Sequence, residues 1–452
     1  MTLPTSFLDE IRARTHLSAL VGKSVKLTKA GREFKGCCPF HNEKTPSFYV
    51  NDDKGFWHCF GCSVHGDAIR WMTDHRGLQF IDAVKELAQA AGLEMPAQDP
   101  RAAETDAKRQ KLRDVMGRAA AFYSAELRRF GSDAAQDHLS GRGIGPGDAA
   151  LFDLGWAAST RRGEPSRLRA ELRDIADDVL LELGLMKRPD DGREPYDFFR
   201  GRITIPIHDA RGRVIGFGAR AIGDVQPKYL NSPDTPLFDK GRTLFNLHRA
   251  SGPAQRKGRL VVVEGYLDVM AMHRAGIEEV VAPNGTAITE TQLRMLWRLS
   301  PAPILCLDGD AAGRKAAVRA AMLALPLIEP GKTLQFVFPP AGSDPDDLER
   351  TEGAAAVSQL LAEPRSLISV IWEHELNAHG SLGNPDTRGR LLVRVEQIVA
   401  MIKSHGLALE YQGEFMRLLR AATNRQTARP RIQPSDAGLA ATIEAAIVVG
   451  LI

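Results

Sequence analysis

The sequence has few cysteines, few aromatic residues and almost no excess of charge of either sign. Five cysteines among 452 residues exclude a chain built throughout as a disulfide-stabilised secreted scaffold. The 59 Lys and Arg residues nearly balance 56 Asp and Glu residues, which leaves a formal net charge of +3. The chain is therefore not a uniformly basic protein, and a surface that binds polyanions has to be local.

A hydrophobic run long enough to cross a bilayer is also missing. The segment LAATIEAAIVVGLI at 439–452 is shorter than a bilayer span and contains Glu444. The opening residues, MTLPTSFLDEIRARTHL, lack the charged start and apolar core of a secretory signal. We therefore expect a cytoplasmic protein with no membrane partner, and the length suggests about three domains.

Four of the five cysteines lie between positions 37 and 62, in GCCPFHNEKTPSFYVNDDKGFWHCFGC. Two pairs there, Cys38 with His41 and Cys59 with Cys62, are each separated by two residues. Paired ligands on two tight turns supply the four nitrogen and sulfur atoms of a closed tetrahedral zinc site. SFYV and FWHCF alternate as two strands do, so the segment predicts a zinc ribbon with one structural zinc ion.

Other side chains compete for roles in this segment. Cys37 is an alternative to Cys38, but adjacent residues on a strand point to opposite sides, and we favour Cys38. We interpret His58 and His65 as surface residues. The aromatic residues either form the core of the small domain or, with nearby cations, stack on single-stranded nucleic acid. The residues concerned are Lys44, Phe48, Lys54, Phe56, Trp57 and Arg70.

Composition changes mark the next boundaries along the chain. The polar segment RAAETDAKRQKLRD at 101–114 predicts a linker that enters a helix with periodicity from about 112 to 130. The glycine-rich segment SGRGIGPGDAALFDLGWA at 140–157 ends that periodicity. A second domain therefore begins after the linker.

The segment 196–250 carries the local basic surface that the net charge conceals. RITIPI and RVIGFGARAI predict two strands joined by the turn DARG. A run of cations is often only a solvated face, but PKYLNSP adds an aromatic ring and an amide between basic residues. That combination favours contact with phosphates and stacked bases. The cations are Arg200, Arg202, Arg211, Arg213, Arg220, Lys228, Lys240 and Arg242.

Acidic residues follow three apolar, strand-like runs. A single Asp-Gly-Asp triplet is usually only a turn, but strands that alternate with helices predict parallel βαβ units. The carboxyl ends of such strands share one edge, where ligands bind. Carboxylates gathered there repel one another unless cations neutralise them, and they favour Mg²⁺ or Mn²⁺. The pattern predicts phosphoryl transfer with two or more such ions, held among Glu264, Asp268, Asp308, Asp310, Asp344 and Asp346.

Several long motifs, in order along roughly residues 1–425, resemble the bacterial replicative DNA primases of the DnaG type. They are CCPFHNEKTPSF with HCFGC, then PKYLNSPDTPLFDKGRTLF, then EGYLD, LDGDAAGRKA and DPDDL. The resemblance implies synthesis of short RNA primers from ribonucleoside triphosphates on a single-stranded DNA template. It also implies a replicative helicase as partner of the full-length protein, and we expect a monomer.

The resemblance implies a multidomain α+β and α/β fold. Its parts are a zinc-binding domain at 1–100, a linker at 101–114, a mixed α+β basic subdomain at 115–250, a Toprim α/β core with a parallel sheet at 251–350, a helical subdomain at 351–428, and at 429–452 a linker with the start of a truncated helicase-binding domain.

The resemblance also implies roles for individual residues. Cys38, His41, Cys59 and Cys62 would bind zinc, and Glu264, Asp308 and Asp310 would be catalytic and carry the divalent metals. Asp268, Asp344 and Asp346 would complete the acidic cluster. The ridge that holds template and nucleotide would comprise Arg200, Arg202, Arg220, Lys228, Tyr229, Asn231 and Lys240.

Two other functions remain open on the residues alone. Another Toprim enzyme, a topoisomerase or nuclease, shares the acidic core, but a topoisomerase needs a nucleophilic tyrosine. Tyr229 and Tyr266 lie near the acids in the sequence without an evident activating base. A non-catalytic single-strand binder would use the zinc ribbon and the basic surface alone.

Overall fold

The computed structural model describes residues 3, 5–96, 100–159 and 166–427. It divides into two compact units, Met1–Lys108 and Arg109–Ile452. The predicted start of a helicase-binding domain at 429–452 lies outside the described residues. None of the helices in the described ranges combines the length and hydropathy that a bilayer span requires.

The first unit is built on a five-stranded antiparallel sheet. The strands β1 (Thr28–Ala30), β2 (Glu33–Gly36), β3 (Phe48–Asn51), β4 (Phe56–Cys59) and β5 (His65–Gly66) pair in sequence order. The helices are α1 (Thr5–Arg14), α2 (Leu17–Val21), α3 (Ala68–Asp74) and α4 (Phe80–Ala90). Alternation along β3 and β4 buries Phe48 and Trp57 with Trp71 of α3. The two strands predicted from SFYV and FWHCF are confirmed.

A long helix, α5 (Pro100–Leu127), follows α4 along the chain. The predicted linker at 101–114 is therefore helical, and the division between the two units falls within it. The helix predicted over 112–130 is confirmed, although it begins earlier. Its later turns pack against a four-stranded sheet through Met116 and Tyr123.

The first half of the second unit carries that sheet. Its elements are α6 (Asp133–Ser140), α7 (Pro146–Leu151), β6 (Gly155–Ala157), α8 (Arg167–Glu171), α9 (Asp177–Glu182), β7 (Met186–Lys187), β8 (Tyr196–Asp197), β9 (Arg202–His208), β10 (Val214–Ala221) and β11 (Tyr229–Asn231). The strand order is β11-β10-β9-β6. Strands β9 and β10 form the antiparallel hairpin predicted from RITIPI and RVIGFGARAI.

The second half of the second unit holds a six-stranded sheet and a helical end. Its elements are β12 (Leu244–Phe245), α10 (Leu247–Lys257), β13 (Val261–Val262), α11 (Tyr266–Arg274), β14 (Val280–Pro283), α12 (Glu290–Leu296), β15 (Ile304–Cys306), α13 (Ala311–Ala324), β16 (Gln335–Val337), α14 (Pro345–Ala362), β17 (Arg365–Ser366), α15 (Leu367–His379), α16 (Pro385–Val399) and α17 (His405–Thr427). A short 3₁₀ turn, Lys240–Arg242, precedes β12.

The four central strands of this sheet are parallel, as the sequence predicts. The order is β12-β14-β13-β15-β16-β17, and only the two outer pairings are antiparallel. The register pairs Val262 with Leu305, and Cys306 with Val337. The residues that follow β13, β15 and β16 therefore meet at one edge. Cys306 is fully buried and packs as a small hydrophobic residue of the core.

Glycine is required at two places beside that edge. A Cβ on Gly309 would lie 2.2 Å from the carbonyl oxygen of Pro340, and a Cβ on Gly313 would lie 2.2 Å from that of Asp308. Both glycines let backbone segments pack directly against each other. At Gly309 the space is filled by the 339–340 backbone, so this glycine serves the packing of two loops rather than the approach of a ligand.

Two neighbouring histidines, with their rings tilted by 41°, lie near the β9–β10 hairpin. The rings of His208 and His248 are 4.6 Å apart, and His208 Nε2 is 3.6 Å from a carboxylate oxygen of Asp153. Burial, reinforced by Arg249, lowers the pKa of each histidine to about 4. Asp153 and Asp209 oppose that shift at His208.

These histidines predict a loss of stability in mild acid. An unfolded histidine binds its proton near pH 6.5, whereas these bind it near pH 4. As the pH falls from about 6.5 towards 4, the unfolded state therefore binds protons before the folded state does, and the free energy of unfolding decreases. After allowance for partial exposure, His208 should account for on the order of 1–2 kcal/mol. Denaturant unfolding of His208→Phe between pH 7 and 5 should show a shallower decline, while His374→Phe, at an exposed position, should match the unchanged chain. Identical declines in all three would contradict the assignment.

Candidate active site and metal centres

The acids after β13, β15 and β16 are tied to the backbone that surrounds them. A carboxylate oxygen of Glu264 accepts from the amide of Asp308 at 3.0 Å. Asp268 accepts from the amide of Gly265 at 2.9 Å, at the start of α11. Asp310 caps α13 through the amide of Gly313 at 2.7 Å, and Asp344 caps α14 through that of Asp347 at 2.6 Å. Local helix-start chemistry thus fixes three of these carboxylates.

The cluster carries negative charge that the protein does not fully compensate. Burial, and then the charges of Asp344 and Asp308, raise the pKa of Asp268 to about 8. Burial, followed by Glu264, Asp344 and Asp310, raises the pKa of Asp308 to about 7. Carboxyl groups behave in this way when like charges converge without a counter-ion. Such a donor set, all oxygen and electrostatically frustrated, fits hard divalent cations.

Asp346 differs from the other predicted acids. It is 1% exposed, and one of its oxygens pairs with Arg142 at 2.9 Å while the other pairs with Arg274 at 3.2 Å. Arg274 also pairs with Glu349 at 2.6 Å. Both oxygens of Asp346 are therefore engaged by arginines. The neighbouring Asp347, which the sequence did not single out, lies close enough to share an ion, since one oxygen from each of Asp344, Asp346 and Asp347 lies within 4.8 Å of the others.

The acids and part of the basic surface line one cavity of about 300 Å³, the acidic cleft. Glu264, Asp268, Asp308, Asp344 and Asp346 form one wall. Cations and polar groups from β10, β11 and the segments beside them, including the one between α6 and α7, face that wall. The facing residues include Arg142, Arg220, Lys228, Tyr229 and Asn231. Acidic and basic groups that lie far apart in the chain thus meet in one place.

The facing wall is held by specific contacts. The Arg220 guanidinium donates to His138 at 3.0 Å and contacts the hydroxyl of Tyr229. Asn231 donates to the carbonyl of Asn284 at 2.9 Å and accepts from the hydroxyl of Tyr266, also at 2.9 Å. These bonds orient polar groups toward the cleft before any ligand arrives.

Three predicted ridge residues do not line the cleft. Arg202 is 5% exposed and donates to the carbonyl of Pro227 at 2.7 Å, so it holds the turn before β11. Arg200 lies over the ring of Tyr196 at 4.3 Å. Lys240 lies on the 3₁₀ turn, and its carbonyl accepts from Gln292. Their roles in template binding stay predictions.

Sequence reasoning missed several residues of the cleft. Arg142 is 204 positions from its partner Asp346, and Tyr266 is 35 positions from Asn231. Only local signals were available, such as an arginine between glycines in SGRGIG. Pairings at this distance depend on the tertiary fold and leave no periodic pattern.

The first unit contains a second cluster. One ligand atom from each of Cys38, His41, Cys59 and Cys62 lies within 4.8 Å of the others, as the spacing predicts. Cys37 is exposed and lies outside the group. Burial raises the pKa of the Cys38 thiol to about 12, so a buried thiolate here needs a cation. The set of three thiols and one imidazole suits Zn²⁺.

Glu43 orients this cluster and was not predicted. One of its oxygens lies 3.3 Å from Nε2 of His41, while Nδ1 of His41 lies 3.8 Å from the sulfur of Cys59. Glu43 also accepts from the amide of Cys38 at 2.6 Å and from the hydroxyl of Ser47 at 2.5 Å. A carboxylate that fixes the imidazole in this way is typical of metal-binding histidines.

The outer face of the first sheet presents aromatic and basic side chains. Thr28, Lys35, Tyr49, His58 and His65 form one row across all five strands. Phe60 is 71% exposed and Phe56 is 39% exposed, whereas Phe48 and Trp57 lie in the core. The core interpretation is therefore confirmed for Phe48 and Trp57, whereas stacking of Phe56 on nucleic acid stays a prediction. His65 is exposed, as predicted, and His58 is half-buried.

The fold and the two clusters define a class: a Toprim-like core beside a basic sheet, with a zinc-ribbon unit. Family models agree. Residues 3–103 match a CHC2 zinc finger, residues 122–251 the N-terminal domain of the DNA primase catalytic core, and residues 261–348 a Toprim-like domain.

Relatives and solved structures narrow the class further. The chain is 40% identical over 376 residues to the DNA primase of Pasteurella multocida. This match covers 82% of this chain and 64% of the relative. It is 37% identical over 440 residues to the DNA primase of Escherichia coli K12, and this match covers 97% of this chain and 75% of the relative. The chain belongs to the DNA primase family.

Structures show the same likeness. The zinc-binding and RNA polymerase domains of Aquifex aeolicus primase align at 30% identity with a TM-score of 0.58, over 95% of this chain and 100% of that one. A DnaG primase catalytic domain bound to single-stranded DNA aligns at 35% identity with a TM-score of 0.62, over 69% of this chain and 99% of that one.

Proposed function

We propose that this chain synthesises short RNA primers from ribonucleoside triphosphates on single-stranded DNA. The observation that carries the proposal is the acidic cleft, where carboxylates at the edge of a parallel sheet face Arg220, Lys228 and Tyr229. Family membership and a relative solved with single-stranded DNA support the template.

The acids would hold the divalent metals. Glu264, Asp308 and Asp310 are the proposed catalytic ligands, with Asp268 and Asp344 beside them, and two Mg²⁺ or Mn²⁺ ions are the proposed complement. Bound there, such ions supply Lewis-acid stabilisation of the transferring phosphate and activate a sugar hydroxyl. Asp346, engaged by Arg142 and Arg274, would position those arginines unless nucleotide binding releases it.

The chain's own cations would bind the triphosphate and template. Arg220 is held by His138 at 3.0 Å, so its guanidinium is pre-oriented toward the phosphates. Lys228 is exposed at the rim and would act as a mobile point charge. The ring of Tyr229 is 38% exposed and would stack on a base.

We further propose one structural zinc ion at Cys38, His41, Cys59 and Cys62. Since the outer face of that unit carries Tyr49, His58 and Phe60, it would contact single-stranded template by stacking. A replicative helicase as partner, a monomeric state and a cytoplasmic location are part of the same proposal. The helicase contact concerns residues outside the described ranges.

The primer-synthesis assay tests this function. Incubation with single-stranded DNA, Mg²⁺ and labelled ribonucleotides should give short labelled RNA. Cleaved DNA without labelled RNA would instead indicate a topoisomerase or nuclease. Burial raises the pKa of both Tyr229 and Tyr266, and Tyr266 is 3% exposed, which makes both poor nucleophiles. DNA binding with neither product would indicate a non-catalytic binder.

A further inference from the structure

A second cavity adjoins the acidic cleft and has no role in the function so far described. It has a volume of about 550 Å³ and shares Glu264, Pro283 and Gly285 with the cleft. The acidic cleft lies toward α11 and α14, whereas this cavity lies toward α13 and the segment 285–288. The two spaces therefore meet at Glu264 from opposite faces of the sheet.

The walls of this cavity are mainly apolar. Leu305 and Leu307 supply its floor, Ala316, Ala320 and Leu323 of α13 one side, and Ile288 the other. Arg319 is the one cation on its lining, and Glu264 the one acid. Its volume lies within the range of pockets that hold a small ligand of nucleotide size.

We propose that this cavity receives the nucleoside at the 3′ end of the growing RNA. The inference rests on the proposed function. In nucleotidyl transfer the attacking and leaving oxygens lie on opposite sides of the phosphorus. The 3′ oxygen bonds to the α-phosphorus, the bond from that phosphorus to the bridging oxygen breaks, pyrophosphate leaves with the electron pair, and the hydroxyl proton passes to water.

The distribution of charge indicates which of the two spaces holds the leaving pyrophosphate and which holds the attacking nucleoside. Pyrophosphate is the more negative group. The acidic cleft carries three cations, Arg142, Arg220 and Lys228, opposite its five acids, and the divalent ions proposed at those acids would add positive charge there, whereas the second cavity carries one cation, Arg319. The attacking nucleoside must then approach from the other side of the reacting phosphate, beyond Glu264. The apolar cavity is the space found there, and its walls suit a ribose and base better than a triphosphate.

The first test uses the unchanged chain and probes proximity. A short RNA ending in 4-thiouridine, annealed to a DNA template, is bound to the chain in Mg²⁺ and irradiated, and the cross-linked peptide is identified. We expect cross-links to residues 285–288 or 316–323. Cross-links confined to peptides outside these two segments would overturn the proposal.

The second test fills the cavity. Ala316→Phe adds an aromatic ring to the wall at a partly exposed helical position, and Ala355→Phe adds the same ring at an exposed position of α14 as control. We expect Ala316→Phe to raise the KM for the annealed RNA primer about tenfold, with the KM for the incoming triphosphate nearly unchanged. The control should match the parent chain in both constants.

The outcomes separate this inference from the proposed function. If the parent chain makes no labelled RNA, the proposed function fails. If it makes RNA and Ala316→Phe extends primers with the parental KM, only the cavity assignment fails. A rise confined to the KM for the triphosphate would place the incoming base in the cavity and would also overturn the assignment.

Discussion

Replacing Asp308 with asparagine is expected to lower RNA synthesis by about 100- to 1,000-fold, with binding of single-stranded DNA nearly unchanged. Asp308 lies between Glu264, Asp344 and Asp310, whose charges together with burial raise its pKa to about 7. Asparagine keeps the shape but removes the negative charge that would hold a divalent ion. Synthesis measured with labelled ribonucleotides, and DNA binding measured by fluorescence anisotropy, separate the two effects.

Stability distinguishes this result from misfolding. Because Asp308 is half-buried among like charges, its ionised form destabilises the folded state without metal, above the raised pKa. Asp308→Asn should therefore unfold at the same temperature as the parent chain or higher, at pH 8 in EDTA. Glu352→Gln, at an exposed position in α14, should leave synthesis and stability unchanged. Normal synthesis by Asp308→Asn would exclude the proposed metal site.

Loss of zinc is expected to unfold the first unit while the second unit stays folded. Structural zinc sites contribute about 10–16 kcal/mol of apparent binding free energy in small domains. The first unit has one sizeable core, built around Phe48, Trp57 and Trp71. Cys59→Ser in the full chain should lose bound zinc and shift the fluorescence of Trp57 and Trp71 to that of exposed indole. Proteolysis should then degrade the first unit and leave the remainder largely resistant.

Cys37 provides a matched control for this experiment. It lies next to Cys38 but is exposed and outside the cluster. Cys37→Ser should therefore retain zinc, measured by elemental analysis, and retain the parental fluorescence. Zinc loss in Cys37→Ser, or its full retention in Cys59→Ser, would require a different ligand set.

Residues close in sequence, or at equivalent ends of strands, could be placed from the sequence alone. Cys38 and His41 lie three positions apart, so one turn brings them together. Asp308 and Asp344 follow neighbouring parallel strands, and that pattern fixes their common edge. Arg142 and Arg274, by contrast, reach Asp346 from other elements. No local pattern specifies such pairs, and the engagement of Asp346 was therefore not foreseen.

The segment 101–114 shows a different limit. The division between the two units falls within this predicted linker, but its helical conformation was not predicted. Its polarity suggested a linker because no apolar stripe marks a buried face. Its composition, however, is dominated by Ala, Glu, Lys, Arg and Gln, which are strong helix formers. Intrinsic helix propensity, rather than burial of an apolar face, accounts for the helical conformation of this segment, and α5 begins at Pro100.

Two helix-capping acids limit how this sequence can vary. Asp310 and Asp344 each accept a hydrogen bond from a backbone amide with one oxygen, at 2.7 Å and 2.6 Å. Asp344 lines the cleft, and Asp310 is exposed next to the cleft residue Asp308. Glutamate is one methylene longer and is a poor cap in this position, so it would keep the charge and lose the anchor. Glu264 lies between β13 and α11 and caps no helix. It accepts from the amide of Asp308 and is free of that constraint. Substitutions at positions 310 and 344 should therefore be tolerated poorly, and aspartate should be retained at both. At position 264 the length of the side chain is limited instead by its distance from the amide of Asp308, which follows the neighbouring strand.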